Sequence, residues 1–381
     1  MRLTSITAPL LASAAIFGLS LAKPWSAQAG KVKRSGDCVA APKVFIIDMF
    51  PPEGEIWYGI PEFNLLQQNI TVPGLSPLFP DVHCTSDGQI CQVITGESEI
   101  NAASTISALT FSRLFDFTST YFLIAGIAGV NPEVATLGSV TFARYAVQVA
   151  LEYEFDPREI PANFSTGYIP QGSVVPSEYP QSIYGTEVFE VNDALRQLAI
   201  GFARTATLND SSAAMAYRAN YASTAAYAAG ATAPGVSPAT SPPPTGVYCT
   251  TAQEDNATLE ALLRGALNNL TDFGRIIVMR TASDFDRPYA GEAATYNLFY
   301  ADQGGFEPAI QNIYLAGVKV VEGILAGWNT TFAKGVNATN YIGDIFGTLG
   351  GTPDFGPGSV FNDNPVVLKR SKGKRNVQLR W

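Results

Sequence analysis

Two textures of apolar and polar positions alternate along this chain. Short, nearly continuous apolar runs at Val44 to Ile47, Ile90 to Ile94, Tyr121 to Ile124 and Ile276 to Met279 have the length and β-branched content of strands buried on both faces. Between them, residues 101–115 can form a helix, and Leu259, Leu262, Leu263, Ala266, Leu267 and Leu270 recur at helical spacing. A second stripe follows in Ile310, Ile313, Gly317, Val320, Ile324 and Trp328. Strands and helices alternating in this way predict one three-layer α/β domain, with helices packed on a central mixed, mostly parallel sheet. Residues 211–247 break the pattern: an Ala-rich start and five prolines predict a helix running into a surface loop. No internal repeat is visible.

The first 29 residues read differently. Arg2 precedes an apolar stretch from Ile6 to Ala22, and Ala27-Gln28-Ala29 has the small-x-small form of a cleavage site. This predicts a secretory signal peptide, with cleavage after Ala22 and processing at Lys33-Arg34 as the alternative. Secretion to the extracellular space or cell surface agrees with seven N-x-S/T sequons, at Asn69, Asn163, Asn209, Asn256, Asn269, Asn329 and Asn337. Cys84 and Cys91 bracket Asp87-Gly88, a turn signal that predicts a local hairpin disulfide. Cys38 and Cys249 form a second bridge or stay as two free buried thiols. After the leader, the best membrane candidate is Phe117 to Pro132, too short and too polar to span. The expected boundaries are a leader at 1–29, a segment at 30–42, the α/β domain at 43–363, and a tail at 364–381.

Charge narrows the partners. The 381 residues carry a formal charge of -9, yet residues 369–380 hold six Lys/Arg and no acid, so the body sums to about -15. A body of that sign repels phosphate backbones, which argues against nucleic acid. His83 is the single histidine, beside Cys84 in the expected hairpin. Triads, Cys-His dyads and histidine-rich zinc sites would all depend on it, so no metal or cofactor is expected. No G-x-x-x-x-G-K-[ST] or G-x-G-x-x-G loop is present. Chemistry must then rest on carboxylates, amides and backbone dipoles.

Ligands of open α/β sheets collect beyond the carboxyl ends of strands. Here those ends read "IIDMFPPEGE", "VITGESEINAA", "LIAGIAGVNP" and "VMRTASDFD", all glycine-rich or acidic. Taken together they resemble the purine nucleoside permease family, which is similar to the nucleoside phosphorylase and nucleosidase superfamily. The likeness runs from about Lys43 to Asp363. It implies a nucleoside phosphorylase-like fold and purine nucleosides as ligands, and it leaves a homo-oligomer open. "TGESEINAASTISAL" with "LIAGIAGVNP" resembles paired glycine loops around the pentose, pointing to Gly96, Ser98 and Gly126. "YCTTAQEDNATLEAL" resembles a segment that presents a glutamate to the ribose hydroxyls, here Glu254, with Gln253 where related nucleosidases have Met. "VMRTASDFD" resembles a strand ending in Arg-x-x-Ser-Asp, pointing to Ser283 and to Asp284 as the acid on the purine. "IIDMFPPE" points to Glu53 as activator of water, with Glu55 in competition.

These roles suit cleavage of an N-glycosidic bond, in which an oxocarbenium-like sugar and an anionic base develop. Asp284 would protonate the base, Glu254 would hold the ribose and Glu53 would orient water. Otherwise Asp284 caps a helix or pairs with Arg280. The first strand's loop carries two acids and no base, which favours water over phosphate as acceptor. Three functions follow: a secreted purine nucleoside N-ribohydrolase, a non-catalytic nucleoside-binding protein serving uptake, or a storage or phosphatase-like relative that kept only the fold.

Overall fold

The run VFIID forms strand β1 (Val44–Asp48), buried at every position. The computed structural model describes residues 40–238 and 248–353. The expected signal peptide, Cys38, the tail and residues 239–247 lie outside the described residues. The chain continues through α1 (Pro51–Glu55), β2 (Gln68–Thr71), β3 (Asp81–Cys84), β4 (Ile90–Ile94), α2 (Ser98–Phe111), β5 (Tyr121–Val130) and β6 (Val140–Ala143). Next come β7 (Tyr145–Val147), β8 (Glu152–Glu154), β9 (Tyr168–Pro170), β10 (Val188–Glu190), α3 (Asp193–Ala203) and α4 (Ser212–Arg218). The last elements are β11 (Val236–Ser237), β12 (Thr250–Thr251), α5 (Asp255–Leu267), β13 (Ile276–Phe285), α6 (Ala294–Phe299), α7 (Phe306–Ala326) and β14 (Gly343–Asp344).

Among the described residues, a nine-stranded sheet runs β11-β6-β13-β5-β1-β4-β3-β2, with β12 paired to β5 off that path. Its centre, β4-β1-β5-β13, is parallel. Antiparallel pairs extend it, β6 on β13 at one side and β3 and β2 beyond β4 at the other. The mixed, mostly parallel architecture is as the alternation of runs predicts. Two smaller sheets, β14-β10-β7 and β8-β9, lie outside it.

Side chains along β1 alternate between two cores, as the pleat requires. Phe45 and Ile47 pack with Ile106 and Leu109 of α2 and Leu259 and Leu262 of α5. Val44 and Ile46 pack with Leu195 and Ala199 of α3 and Ile313 and Val320 of α7. Two helical layers thus enclose the sheet. Helix α7 is the described helix long and apolar enough to cross a membrane, but more than half of its most apolar window is buried. Its contacts with β13, β5 and β6 make it a core helix.

Two strands run past their expected ends. β5 continues through Gly126 and Gly129 to Val130, and β13 continues through Arg280, Thr281 and Ser283 to Phe285. The stretches expected as a glycine loop and a polar strand ending are therefore interior sheet. They look like loops in the sequence because Arg280 and Ser283 find their partners only in the tertiary structure, while the Thr281 hydroxyl is buried with no hydrogen-bond partner among the described residues. In the hairpin between β3 and β4, Cys84 and Cys91 form the expected disulfide. Cys249 is buried without a disulfide partner among the described residues. The Ala-rich start of the 211–247 segment forms α4 and two 3₁₀ turns, Ala219–Ser223 and Ala225–Tyr227.

Candidate functional site

Pro51 and Pro52 open α1 directly after β1, where prolines suit a first helical turn. The turn carries Glu53 back over the sheet, where it is 2% exposed. Its Oε2 accepts a hydrogen bond from the Met49 amide at 2.8 Å, and its Oε1 accepts one from the Ile127 amide at 2.7 Å. Gly126 makes this approach possible. A Cβ there would lie 2.7 Å from Glu53 Oε1 and 2.6 Å from Arg280 Nη1. Glu55, the competing acid, is exposed.

Arg280 enters the same space from β13, which pairs in parallel with β5 and sets Arg280 opposite Gly126. The guanidinium is 2% exposed. Its Nη2 lies 2.6 Å from Asp255 Oδ1 and 3.5 Å from Glu254 Oε2, and its Nη1 donates to the Ile127 carbonyl at 3.2 Å. Glu254 and Asp255 arrive with the start of α5. They are anchored by β12, whose Thr251 pairs antiparallel with Gly129. Glu254 Oε1 accepts the Ser98 amide at 2.9 Å. Ser98 opens α2 with φ of 75°, a left-handed conformation that costs a non-glycine residue energy. Gly96, at φ of 83°, bends the chain into it.

Burial raises the Glu53 carboxyl to about 7. Arg280 and the two backbone donors oppose that rise, and Glu254 adds to it. Asp48, fully buried at the end of β1, is pushed well above the usual carboxylate range, chiefly by burial. It accepts from Gln92 Nε2 at 2.7 Å and Trp57 Nε1 at 3.2 Å, so it is a satisfied buried acid beneath Glu53. Asp48, Asp255 and the central position of Arg280 were not among the residues expected from the sequence. For Asp48 and Arg280 the available signal was charge inside strands otherwise apolar enough to be buried; Asp255, at the start of α5, carried no such signal.

Asp284 lies near the end of β13, opposite Gly129. Gly129 is three residues beyond Gly126, which places Asp284 roughly 10 Å along the strand direction from the Glu53 cluster. The register slips between Ala282 and Asp284, a bulge of the kind that re-aims a side chain. Ser283 Oγ is 2.6 Å from Asp284 Oδ1 and 3.2 Å from the Ala128 carbonyl oxygen. The Gln303 amide clamps both backbone groups of Phe285 and fixes this end of the strand. Asp284 opens to solvent, yet the surrounding protein displaces enough water to raise its carboxyl. The Ser283 hydrogen bond opposes the rise and Asp286 reinforces it. No hydrogen bond or ion pair joins Asp284 to Arg280 among the described contacts, and Asp284 lies inside a strand rather than at a helix start.

Gln253 is exposed beside Glu254. His83 pairs through Nδ1 with Asn69 Oδ1 at 2.7 Å and packs edge-on against Tyr58. A cleft of about 280 Å³ lies between α2 and α5, lined by Glu99, Ser107, Gln148, Asn256 and Arg264 among others. Glu53, Glu254, Arg280 and Asp284 do not line it. Convergence of buried charge is the better marker of a working site here, because each such group costs solvation energy that packing alone would not require.

Fold and site together define an α/β protein with a carboxylate–guanidinium centre at the carboxyl ends of parallel strands, where such folds hold ligands. Comparison with known proteins gives the family. A family model described as "Purine nucleoside permease (NUP)" matches residues 41–243 and 239–337. A purine nucleoside permease of Candida albicans is 44% identical over 340 residues, covering 83% of this chain and 83% of the relative. A probable purine nucleoside permease of Schizosaccharomyces pombe is 41% identical over 332 residues, covering 80% of this chain and 94% of the relative. This chain belongs to the purine nucleoside permease family. Among solved structures, a 5'-methylthioadenosine/S-adenosylhomocysteine nucleosidase of Neisseria meningitidis aligns at TM-score 0.40 and 14% identity, covering 73% of this chain and 98% of its own. The futalosine hydrolase of Helicobacter pylori aligns at TM-score 0.41 and 13% identity, covering 74% and 98%. Likeness at that level adds nothing to the assignment.

Proposed function

We propose that this chain is a secreted protein that binds purine nucleosides and hydrolyses their N-glycosidic bond, releasing base and ribose for uptake. The observation that carries the reading is Glu53. This carboxyl is buried and held by two backbone amides, and its proton affinity lies near neutrality. Each carboxylate oxygen keeps a second lone pair, so Glu53 can still receive a water. Glu254 keeps capacity beyond its bond to Ser98 to accept from sugar hydroxyls.

In the proposed reaction, the water oxygen bonds to C1′ of the ribose while the bond from C1′ to the purine nitrogen breaks. The bonding electrons leave with the purine, which takes a proton from Asp284. The proton lost by water passes to Glu53. Asp284 suits the acid role because its raised affinity keeps the proton available at higher pH than an ordinary Asp.

The test incubates purified chain with adenosine, inosine and guanosine and measures free base and ribose. Released base is expected, and Asp284→Asn should slow release by roughly 100-fold or more. Nucleoside binding without product would make the chain a binding protein for uptake, the reading its relatives' names favour.

A further inference from the structure

An arginine buried among the ends of parallel strands could serve as an anion site, and Arg280 has the position for it. We propose that Asp255 determines the acceptor at this site: it holds the Arg280 guanidinium against the start of α5, denies it to an inorganic oxyanion, and leaves water as the group Glu53 receives. The inference rests on the hydrolytic reading above and adds the residue that selects water.

The geometry is specific. Arg280 turns its Nε and Nη2 edge to Asp255 Oδ1, at 3.2 and 2.6 Å. That edge is the fork with which a guanidinium takes phosphate in two parallel bonds. Its remaining nitrogen donates to the Ile127 carbonyl at 3.2 Å. Every nitrogen of the one cation therefore has a protein acceptor. Glu254 stands 3.5 Å from Nη2, and its other oxygen is held by Ser98. With Glu53 neutral, Arg280 still faces two carboxylates at close range, so the centre repels a phosphate dianion. Asp255 also occupies the first position of α5, where a negative side chain is favoured by the helix dipole, so the fold retains it without strain.

Removing that charge changes two properties together. The guanidinium fork becomes available to phosphate, and Arg280 acts more fully on Glu53. The groups facing Glu53 are Asp48 from β1, Arg280 from β13, Glu254 from the start of α5, and the amides of Met49 and Ile127. Arg280 is the cation of that set, so freeing it makes Glu53 a stronger acid.

The experiment titrates inorganic phosphate into the full chain by calorimetry, for wild type, Asp255→Asn and Asp255→Glu, with no nucleoside present. Asp255→Asn should bind phosphate roughly tenfold or more tightly than wild type, since charge-assisted bonds to the guanidinium become available. Asp255→Glu should behave as wild type. In parallel, the acid limb of base release should move to lower pH in Asp255→Asn and stay in place in Asp255→Glu. If Asp255→Asn does not fold, Asp255→Ser replaces it, serine also being well accepted near a helix start. Wild-type phosphate affinity in the charge-removed variant, or a Glu variant that behaves like Asn, overturns the proposal. Absence of base release from wild type would sink the hydrolytic reading alone, because the phosphate titration does not depend on turnover.

Discussion

Glu53 and Asp284 both hold their protons more tightly than ordinary carboxyls, for different physical reasons. Glu53 is sealed into protein and loses hydration that two amides and Arg280 only partly replace. Asp284 is open to water and is shifted by crowding and by Asp286. The raised Glu53 value makes the folded state favour the protonated form. Its stabilising contribution is complete below the unfolded value near 4.5 and is lost as pH rises through about 7. Glu53→Gln removes that dependence. Between pH 4.5 and pH 8, the stability of the Gln variant relative to wild type should improve by up to about 3 kcal/mol, read from denaturant melts across pH. On the hydrolytic proposal, the same titration should place the acid limb of base release near neutrality in wild type. A relative stability that does not change with pH would show that Glu53 keeps an ordinary carboxyl's affinity.

At the scale of elements, the site depends on two long parallel strands lying in register. β5 supplies a glycine in place of a side chain, and β13 supplies Arg280, which shares the space with Glu53 from α1. Gly126→Ala would place a methyl within 2.8 Å of Arg280 Nη1, Glu53 Oε1 and Met49 Cε. Such overpacking should cost roughly 1–3 kcal/mol of stability. Displacing Glu53 by a fraction of an ångström should also slow turnover, by up to about 100-fold. A wild-type melt and wild-type turnover in that variant would mean the glycine is not needed for the approach. The apolar halves of these strands were legible in the sequence as short runs. Their polar halves were not, because the Arg280 side chain is met by Asp255 at the start of α5, its carbonyl by Thr141 of β6, and the Ser283 hydroxyl by the Ala128 carbonyl of β5, all distant in sequence.

For the whole molecule, the described surface separates the sequons. Asn69, Asn163, Asn209, Asn269, Asn329 and Asn337 are exposed, whereas Asn256 is half-buried and donates through Nδ2 to the Thr186 carbonyl at 2.8 Å. That nitrogen is the one a glycan would occupy. On the proposal that the chain is secreted, glycopeptide mass spectrometry should find Asn256 bare and glycans on exposed positions. A fully occupied Asn256 would require the start of α5 to sit differently against the β10 region.

Periodicity and run length by themselves determined the strand and helix types, the enclosed sheet and the Cys84–Cys91 hairpin, because these follow from neighbours within a few residues. Motif likeness also marked Glu53, Glu254 and Asp284 individually. Only the tertiary structure decided that Glu53 rather than Glu55 is buried, that Arg280 serves Asp255 and Glu254, and that Asp284 stands apart on a bulge. The reason is electrostatic: the state of a charged side chain depends on its solvation and on partners far away in sequence, and local pattern carries neither.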